Sequence, residues 1–322
     1  PETLGESDFV FEGCYTTHDD IKRENRAGEN LLSNADTLTA LAGLDKREQL
    51  SQAWRTVCFN QFHDIFDGSG IHEVYADSTK DFEKISATAK DASDEALSVL
   101  HAGLEAGTIA VTNPLGWEQS SWVTVPELTG EGAVQLTGCH GHEAIGQYGK
   151  AGLGFAATLP AYSTVSYKVG ESVEEGELAF CETFAPTDNR NVTFLAEQNE
   201  VPPYYHIETP YFSVYLRKDC GILTSFVDKR ENRELVAYGM RRAADYFDTA
   251  RPDLALNVFQ IEDEHPHPMS AWHLDEVHTT HSLLRGAETN VIESGPARIV
   301  FEVTHKVRSS KIVQQIIFYR DL

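Results

Sequence analysis

Positive charge is scarce in this chain: 26 Lys and Arg stand against 50 Asp and Glu in 322 residues, a formal charge of −24. A surface of that sign repels phosphate backbones and anionic lipid headgroups, which argues against nucleic-acid and membrane-surface roles and fits a need for solubility. Cysteine is also thin. Cys14, Cys58, Cys139, Cys181 and Cys220 are odd in number, widely spaced and free of any CxxC pair, so a disulfide framework is excluded and a reducing, cytoplasmic compartment is expected. No apolar run reaches the length of a membrane span, and no basic-then-apolar leader is present. The sequon Asn191-Val192-Thr193 would matter only in a secreted protein. A Gly-rich phosphate loop, a nucleophile elbow, a Cys-His pairing pattern and internal repeats are missing as well. The chain opens at Pro1 and closes on VQQIIFYRDL, which reads as a strand just finished, so a piece of a longer protein is expected.

What the chain does have is enough apolar content, 41%, to build cores in two or three domains. Residues near 15 to 103 carry helical periodicity. Thr17 followed by Asp20 resembles a capping box, and Leu31, Ala35, Leu38 and Ala42 share one helix face. A second helix is expected over KREQLSQAWRTVCFNQFHD, with Leu50, Trp54, Val57 and Cys58 on a face. A third follows Gly68-Ser69-Gly70, with Phe82, Ile85, Ala89, Ala92, Ala96 and Val99 at steps of three and four. From about Ile109 the period becomes two, in TIAVTNPLGWEQSSWVTVP, AATLPAYSTVSYKV, YFSVYLRKDCGILTSFVD and RIVFEVTHKVRSSKIVQQIIFY. The expected fold class is α+β multidomain: a three-helix bundle (1–105), a small antiparallel β domain (106–172), and the N-terminal part of a large β-sandwich (173–322). GESVEEGE and EQNEVPPYY read as connectors.

The stretch NQFHDIFDGSGI, Asn60 to Ile71, sets an adjacent His63 and Asp64 where an apolar helix stops and a glycine turn begins. Imidazole is a good zinc ligand and a neighbouring carboxylate can orient a ligand or accept sugar hydroxyls; equally, a capped helix end can satisfy its own histidine. One histidine is not a metal site, since zinc takes about three or four protein ligands. The pairs His140 with His142, His265 with His267, and His278 with His281 each lack an evident third ligand. Trp272, in the loop NVFQIEDEHPHPMSAWHLDEV, suits either sugar stacking or anchoring of its loop.

Taken together, the motifs resemble the glycoside hydrolase family 38 α-mannosidases. FEGCYTTHDDIKRENRAGENLL is similar to the opening of that family's central helical domain, and AWRTVCFNQFHDIFDGSGIHEVYAD to its His-Asp motif. VTNPLGW, TLPAYSTVSYKV, YFSVYLRKDCGILTSFVDKRENRELV and NVFQIEDEHPHPMSAWHLDEV follow in the order of its β domains. Phe62 and the AWHLD segment look closer to the microbial and cytosolic or vacuolar branch than to the Golgi enzymes. The resemblance implies that His63 is a ligand of a divalent metal, usually Zn2+, and that Asp64 contacts a bound mannose. It also implies a preceding α/β domain supplying a His-x-Asp pair, the nucleophile and the acid; His18-Asp19-Asp20 does not match that position. The chain would then hold one of four metal ligands and no catalytic residue. Alone it would be inactive, and the intact protein would be a retaining, oligomeric mannosidase acting on α-mannosides or oligosaccharides. A non-catalytic carbohydrate-binding or oligomer-assembly module is the competing expectation.

Overall fold

The computed structural model describes residues 12–173, 176, 178–183, 204–236 and 255–322. They form two compact units interleaved along the chain. The first takes the chain through Gln119 with Leu159–Tyr167 and Asp263–Thr279; the second takes Ser120–Thr158, Lys168–Glu262 and Thr280–Leu322. The sequon at Asn191 and most of the turn-rich link before Tyr204 lie outside the described residues.

The first unit opens with a 3-10 turn at Glu12–Tyr15 and continues through α1 (Asp19–Leu41), α2 (Arg47–Asn60), α3 (His63–Phe66) and α4 (His72–Leu100). None of these helices contains proline, and their apolar residues recur every three or four positions, which gives each long helix one burying face. Leu32 and Ala35 of α1, Leu50, Ala53 and Val57 of α2, and Phe82, Ile85, Ala89 and Ala92 of α4 make one core, with Trp54 packed on its margin. The alanines let the backbones approach closely.

The structure corrects several local expectations. The buried stripe of α1 runs Ile21, Asn25, Gly28, Leu32, Ala35, Leu38 and Thr39, so Leu31 faces solvent and Leu32 takes its place. A stripe anchored on Ile21 repeats at 3.6 residues, and that period skips position 31. The capping box does not form: α1 starts after His18, which is left-handed (φ 48°) and offers no side-chain cap. α2 stops at Asn60 instead of running to Asp64, and α3 is a separate turn. Cys58 and Val99 are exposed.

The strands are β1 (Ile109–Asn113), β2 (Gln119–Val125), β3 (Ala133–Gly138), β4 (Glu143–Gly149), β5 (Gly152–Leu159), β6 (Ser163–Ser172), β7 (Ala179–Thr183), β8 (Tyr204–Glu208), β9 (Phe212–Arg217), β10 (Leu223–Asp228), β11 (Arg233–Glu234), β12 (Gln260–Glu264), β13 (Val277–Ser282), β14 (Glu288–Ser294), β15 (Arg298–Val307) and β16 (Ser310–Tyr319). In the first unit β1 pairs antiparallel with the start of β6, Val111 opposite Val165. The His101 ring lies 2.8 Å from the Thr112 hydroxyl, which reaches Thr164 at 2.8 Å and ties the end of α4 to this pair.

In the second unit two antiparallel sheets face each other, β11-β10-β9-β8-β7 and β14-β15-β16. Alternation explains the packing: Tyr205 and Ile207 pair with Leu216 and Val214 on one sheet, and Ile299 and Phe301 pair with Phe318 and Ile316 on the other. These side chains share one core, so this part is a β-sandwich. Beside it, the amide of buried Gln147 on β4 closes onto the β14–β15 corner. It donates to Glu293 (2.9 Å) and the Arg298 carbonyl (3.1 Å), and accepts from the amides of Ala297 (3.0 Å) and Arg298 (3.1 Å). Glu293 and Arg298 make a two-pronged ion pair at 2.7 and 2.8 Å, and the guanidinium lies 4.5 Å from the Trp122 ring. The architecture is α+β multidomain, and among the described residues no helix is long and apolar enough to cross a membrane.

His305 on β15 is buried, and its Nε2 has no hydrogen-bond partner. Burial holds this imidazole below its ordinary pKa of 6.5, and burial lowers His101 likewise. The unfolded chain therefore binds these protons first. Their contribution to stability is complete above about pH 6.5 and is lost as pH falls toward the folded-state values, at up to about 1.4 kcal/mol per pH unit for each group. Urea midpoints should fall between pH 7.5 and 5.5, and His305→Gln should shallow that fall; an unchanged pH slope in the variant would clear His305 of the effect.

Candidate functional site

His63 and Asp64 sit on α3, between two polar fastenings. On the α2 side, the last helical residue, Asn60, is 1% exposed and turns its amide back to the Thr56 carbonyl (3.0 Å) and across to Asp81 of α4 (3.4 Å). Gln61 follows and donates to Asn25 Oδ1 and Glu29 Oε1 of α1, each at 3.0 Å; Asn25 in turn donates to Glu29 at 3.1 Å. The end of α2 is thus fixed to both neighbouring helices.

On the α4 side, Asp67 accepts from the Ser69 amide (3.0 Å) and hydroxyl (2.9 Å), closing the turn. The Gly70 amide donates to the hydroxyl of buried Tyr75 at 2.6 Å. His18 stacks on the Tyr75 ring, centroids 3.7 Å apart and 14° from parallel. Gly68 has φ +91°, and a Cβ there would lie 2.8 Å from the Thr17 carbonyl oxygen, so the position takes glycine for both conformation and space. Thr17 is held in turn: its hydroxyl lies 2.9 Å from both the Gly13 and Ala271 carbonyl oxygens, and the Gly13 amide donates to the Trp272 carbonyl at 3.0 Å. Lys22 donates to the Thr17 carbonyl at 2.5 Å and sits over the Phe66 ring. Burial lowers its pKa, and burial with the nearby Asp67 raises that of Cys14.

What this frame presents is open to solvent. The His63 side chain is 78% exposed and that of Asp64 63%, with Nε2 and Oδ1 3.5 Å apart. Phe62 leans on the imidazole, ring centroids 4.2 Å apart. Chemically the turn can lend one imidazole and one carboxylate to something bound from outside. It does not fit a zinc ion by itself: among the described residues no group of three His, Cys, Asp or Glu side chains could hold a metal.

The histidines of the 265–281 segment make local contacts with one another and with their own loop. The His267 Nδ1 accepts from the Met269 amide (3.2 Å), which leaves Nε2 to face Glu264 at 3.3 Å; its ring lies 4.9 Å from that of His273. His265 and His278 lie ring to ring at 4.9 Å across the β12–β13 ribbon. His278 and His281 are three apart on a strand, which sends them to opposite faces. Trp272 serves its loop's attachment through its carbonyl. Asn25, Asn60, Gln61 and Tyr75 were not singled out from sequence, although Asn25 and Asn60 carried a signal: each continues its helix's buried stripe with a polar side chain.

Residues 10–100 match the model of the alpha mannosidase middle domain, and residues 207–322 that of the glycosyl hydrolases family 38 C-terminal domain. Alpha-mannosidase 2C1 of Mus musculus and of Homo sapiens are each 32% identical over 135 residues, covering 39% of this chain and 13% of theirs. Two solved structures share the fold at 15% identity: a glycosyl hydrolase family 38 protein from Enterococcus faecalis (TM-score 0.58, 91% of this chain, 37% of that one) and an alpha-mannosidase from Enterococcus faecalis V583 (0.60, 93% and 36%). The chain thus spans well under half the length of the relatives it matches. The helical bundle lies in the region matched by the middle-domain model, and most of the β-sandwich in that matched by the C-terminal-domain model. The chain belongs to glycoside hydrolase family 38.

Removing the Asn60 amide leaves the last turn of α2 and Asp81 without their shared donor. Asn60→Ala should cost about 1–3 kcal/mol in urea unfolding and speed amide exchange across residues 62–67; Tyr75→Phe should cost about 1 kcal/mol and free the Gly70 amide. Unchanged exchange at these amides in both variants would show that α3 is held by other contacts.

Proposed function

We propose that this chain is the helical and β portion of a metal-dependent, retaining α-mannosidase that releases α-linked mannose from mannosides or oligosaccharides in the cytoplasm. The observation that carries this reading is the His63–Asp64 pair, exposed on its own turn and fastened from α1, α2 and α4, in a chain of family 38. Exposed side chains on a rigid support are poised to complete a site whose other members come from elsewhere.

In this proposal His63 gives its imidazole to a divalent cation, Zn2+ by resemblance, whose remaining ligands lie on an α/β domain outside this chain. Bound there, the ion would supply positive charge beside sugar hydroxyls. Asp64 accepts a hydrogen bond from a mannose hydroxyl. Its carboxylate is suited to this because a charged acceptor makes a hydrogen bond roughly twice as strong as a neutral one. The nucleophilic carboxylate and the acid of a retaining mechanism are likewise supplied from that domain, so the chain alone is inactive. The three-part division at residues 105 and 172, and assembly into a homo-oligomer, belong to the same proposal.

The test compares this chain with a version extended at its N-terminus, measuring bound metal and p-nitrophenyl α-mannoside hydrolysis. Only the extended protein should hold stoichiometric metal and turn over. There, His63→Ala should remove metal and at least tenfold of kcat/KM, and Asp64→Asn should raise KM with metal retained. Full metal content and rate in His63→Ala would remove the ligand assignment.

A further inference from the structure

Two aromatic side chains outside the His63 turn have no role in the proposal above. Trp117 is 61% exposed and Tyr162 57% exposed. Single exposed aromatics are common and need no explanation. These two differ in how they are mounted. Trp117 ends the turn that follows β1, Tyr162 ends the turn that precedes β6, and the register of those strands sets Asn113 opposite Ser163. The turns are therefore neighbours.

One side chain pins both. Asn113, 2% exposed, directs its amide hydrogens at the carbonyls of Trp117 (2.8 Å), Pro160 (3.0 Å) and Leu159 (3.1 Å), and its oxygen accepts from the Leu115 amide (2.9 Å). The Tyr162 amide donates across to the Leu115 carbonyl at 3.0 Å, and the Ser163 hydroxyl to Pro160 at 2.8 Å. The Tyr162 ring lies over Gly116, where a Cβ would meet its hydroxyl at 2.9 Å, so a side chain there would push the tyrosine out of place.

Tyr162 also sits in the left-handed region, φ 49°. It closes the three-residue connection Pro160-Ala161-Tyr162 between β5 and β6, in a backbone conformation for which glycine is the ordinary choice. A bulky aromatic there is unfavourable, and because its ring is exposed, core packing does not offset the strain. The sequence has spent local stability to hold a largely exposed aromatic ring against Gly116, one residue before Trp117, on a corner tied down by a buried amide.

We infer that Trp117 and Tyr162 form a platform for the apolar CH face of a hexopyranose unit in a neutral oligosaccharide. A pyranose offers one flat CH face with a rim of hydroxyls. Rings that join an apolar body to a polar tip, indole N–H and phenol O–H, suit such a ligand, and exposed Glu118 adds an acceptor at the edge. Two side chains are far short of the roughly 20–30 residues a side of a stable protein interface, which favours a small saccharide over a second chain. The inference is independent of what His63 does.

The experiment titrates the 15N-labelled 322-residue chain with maltotriose, cellotriose and α-linked mannotriose to about 50 mM, a range that captures millimolar Kd values. At least one sugar should produce a saturable shift of a single tryptophan indole resonance, absent in Trp117→Ala. Tyr162→Gly, which suits the left-handed backbone and should fold at least as well as the parent, should weaken binding about tenfold or more. That variant decides the matter even if Trp117→Ala misfolds. No saturable indole shift with any of the three sugars, or full affinity in Tyr162→Gly, would overturn the platform. So would a concentration-dependent dimer that Tyr162→Gly abolishes, since a second copy would then be the occupant.

Discussion

The point at which α2 stops governs everything displayed on the His63 turn. A helix ends with unpaired carbonyls and needs a reason to end there, and Asn60 supplies it by folding its amide back onto the Thr56 carbonyl while reaching toward α4. Gln61 then commits the next residue to α1. Because the acceptors stand on two different helices, the position of α3 follows from the packing of the whole bundle. Leu32, Val57 and Ile85 thereby bear on the direction in which the imidazole projects, though none of them lies on the turn. The Tyr75 hydroxyl on the far side removes the remaining freedom.

The second unit solves a comparable problem with charge. A corner of β14 and β15 carries Glu293 and Arg298 at only 16% and 14% side-chain exposure, a costly placement for isolated ions. Their mutual fork, the Trp122 ring under the guanidinium and the Gln147 amide on Glu293 leave the pair well partnered. Breaking one member would expose the desolvation cost of the other, so the corner behaves as a unit and fixes β4 against β15, the strand that carries Ile299 and Phe301.

Much of this was legible in advance, for definite reasons. Period-two alternation marked YFSVYLR and RIVFEVTHKV as strands; the structure then puts Val214, Leu216, Ile299 and Phe301 inward, as parity along a strand requires. Helical periodicity located Phe82 to Ala96 for the same kind of reason. It failed at Leu31 because a one-residue shift of a helical stripe costs little in pattern matching, whereas Gly28 against Ile85 fixes the real face. His63 and Asp64 were singled out by motif; their exposure and their supports could not be read there. Those supports depend on contacts such as Gln61 to Asn25, which join residues of different helices and leave no periodic trace. The Thr17 capping box failed because its hydroxyl had a better use 254 residues away.

That distant use has a temporal side. The segment Asp263–Thr279 belongs to the same compact unit as the helices, and its Ala271 and Trp272 carbonyls receive the Thr17 hydroxyl and the Gly13 amide. On a ribosome, the start of α1 emerges long before those carbonyls exist. At about 5–20 residues per second the wait is roughly 13 to 50 s. During that interval the turn ahead of α1 lacks its tether, while the helical core, built from residues close in sequence, is free to form. The helical unit is thus finished late and from its far end, which ties the quality of the His63 frame to successful synthesis of a chain segment that never touches His63.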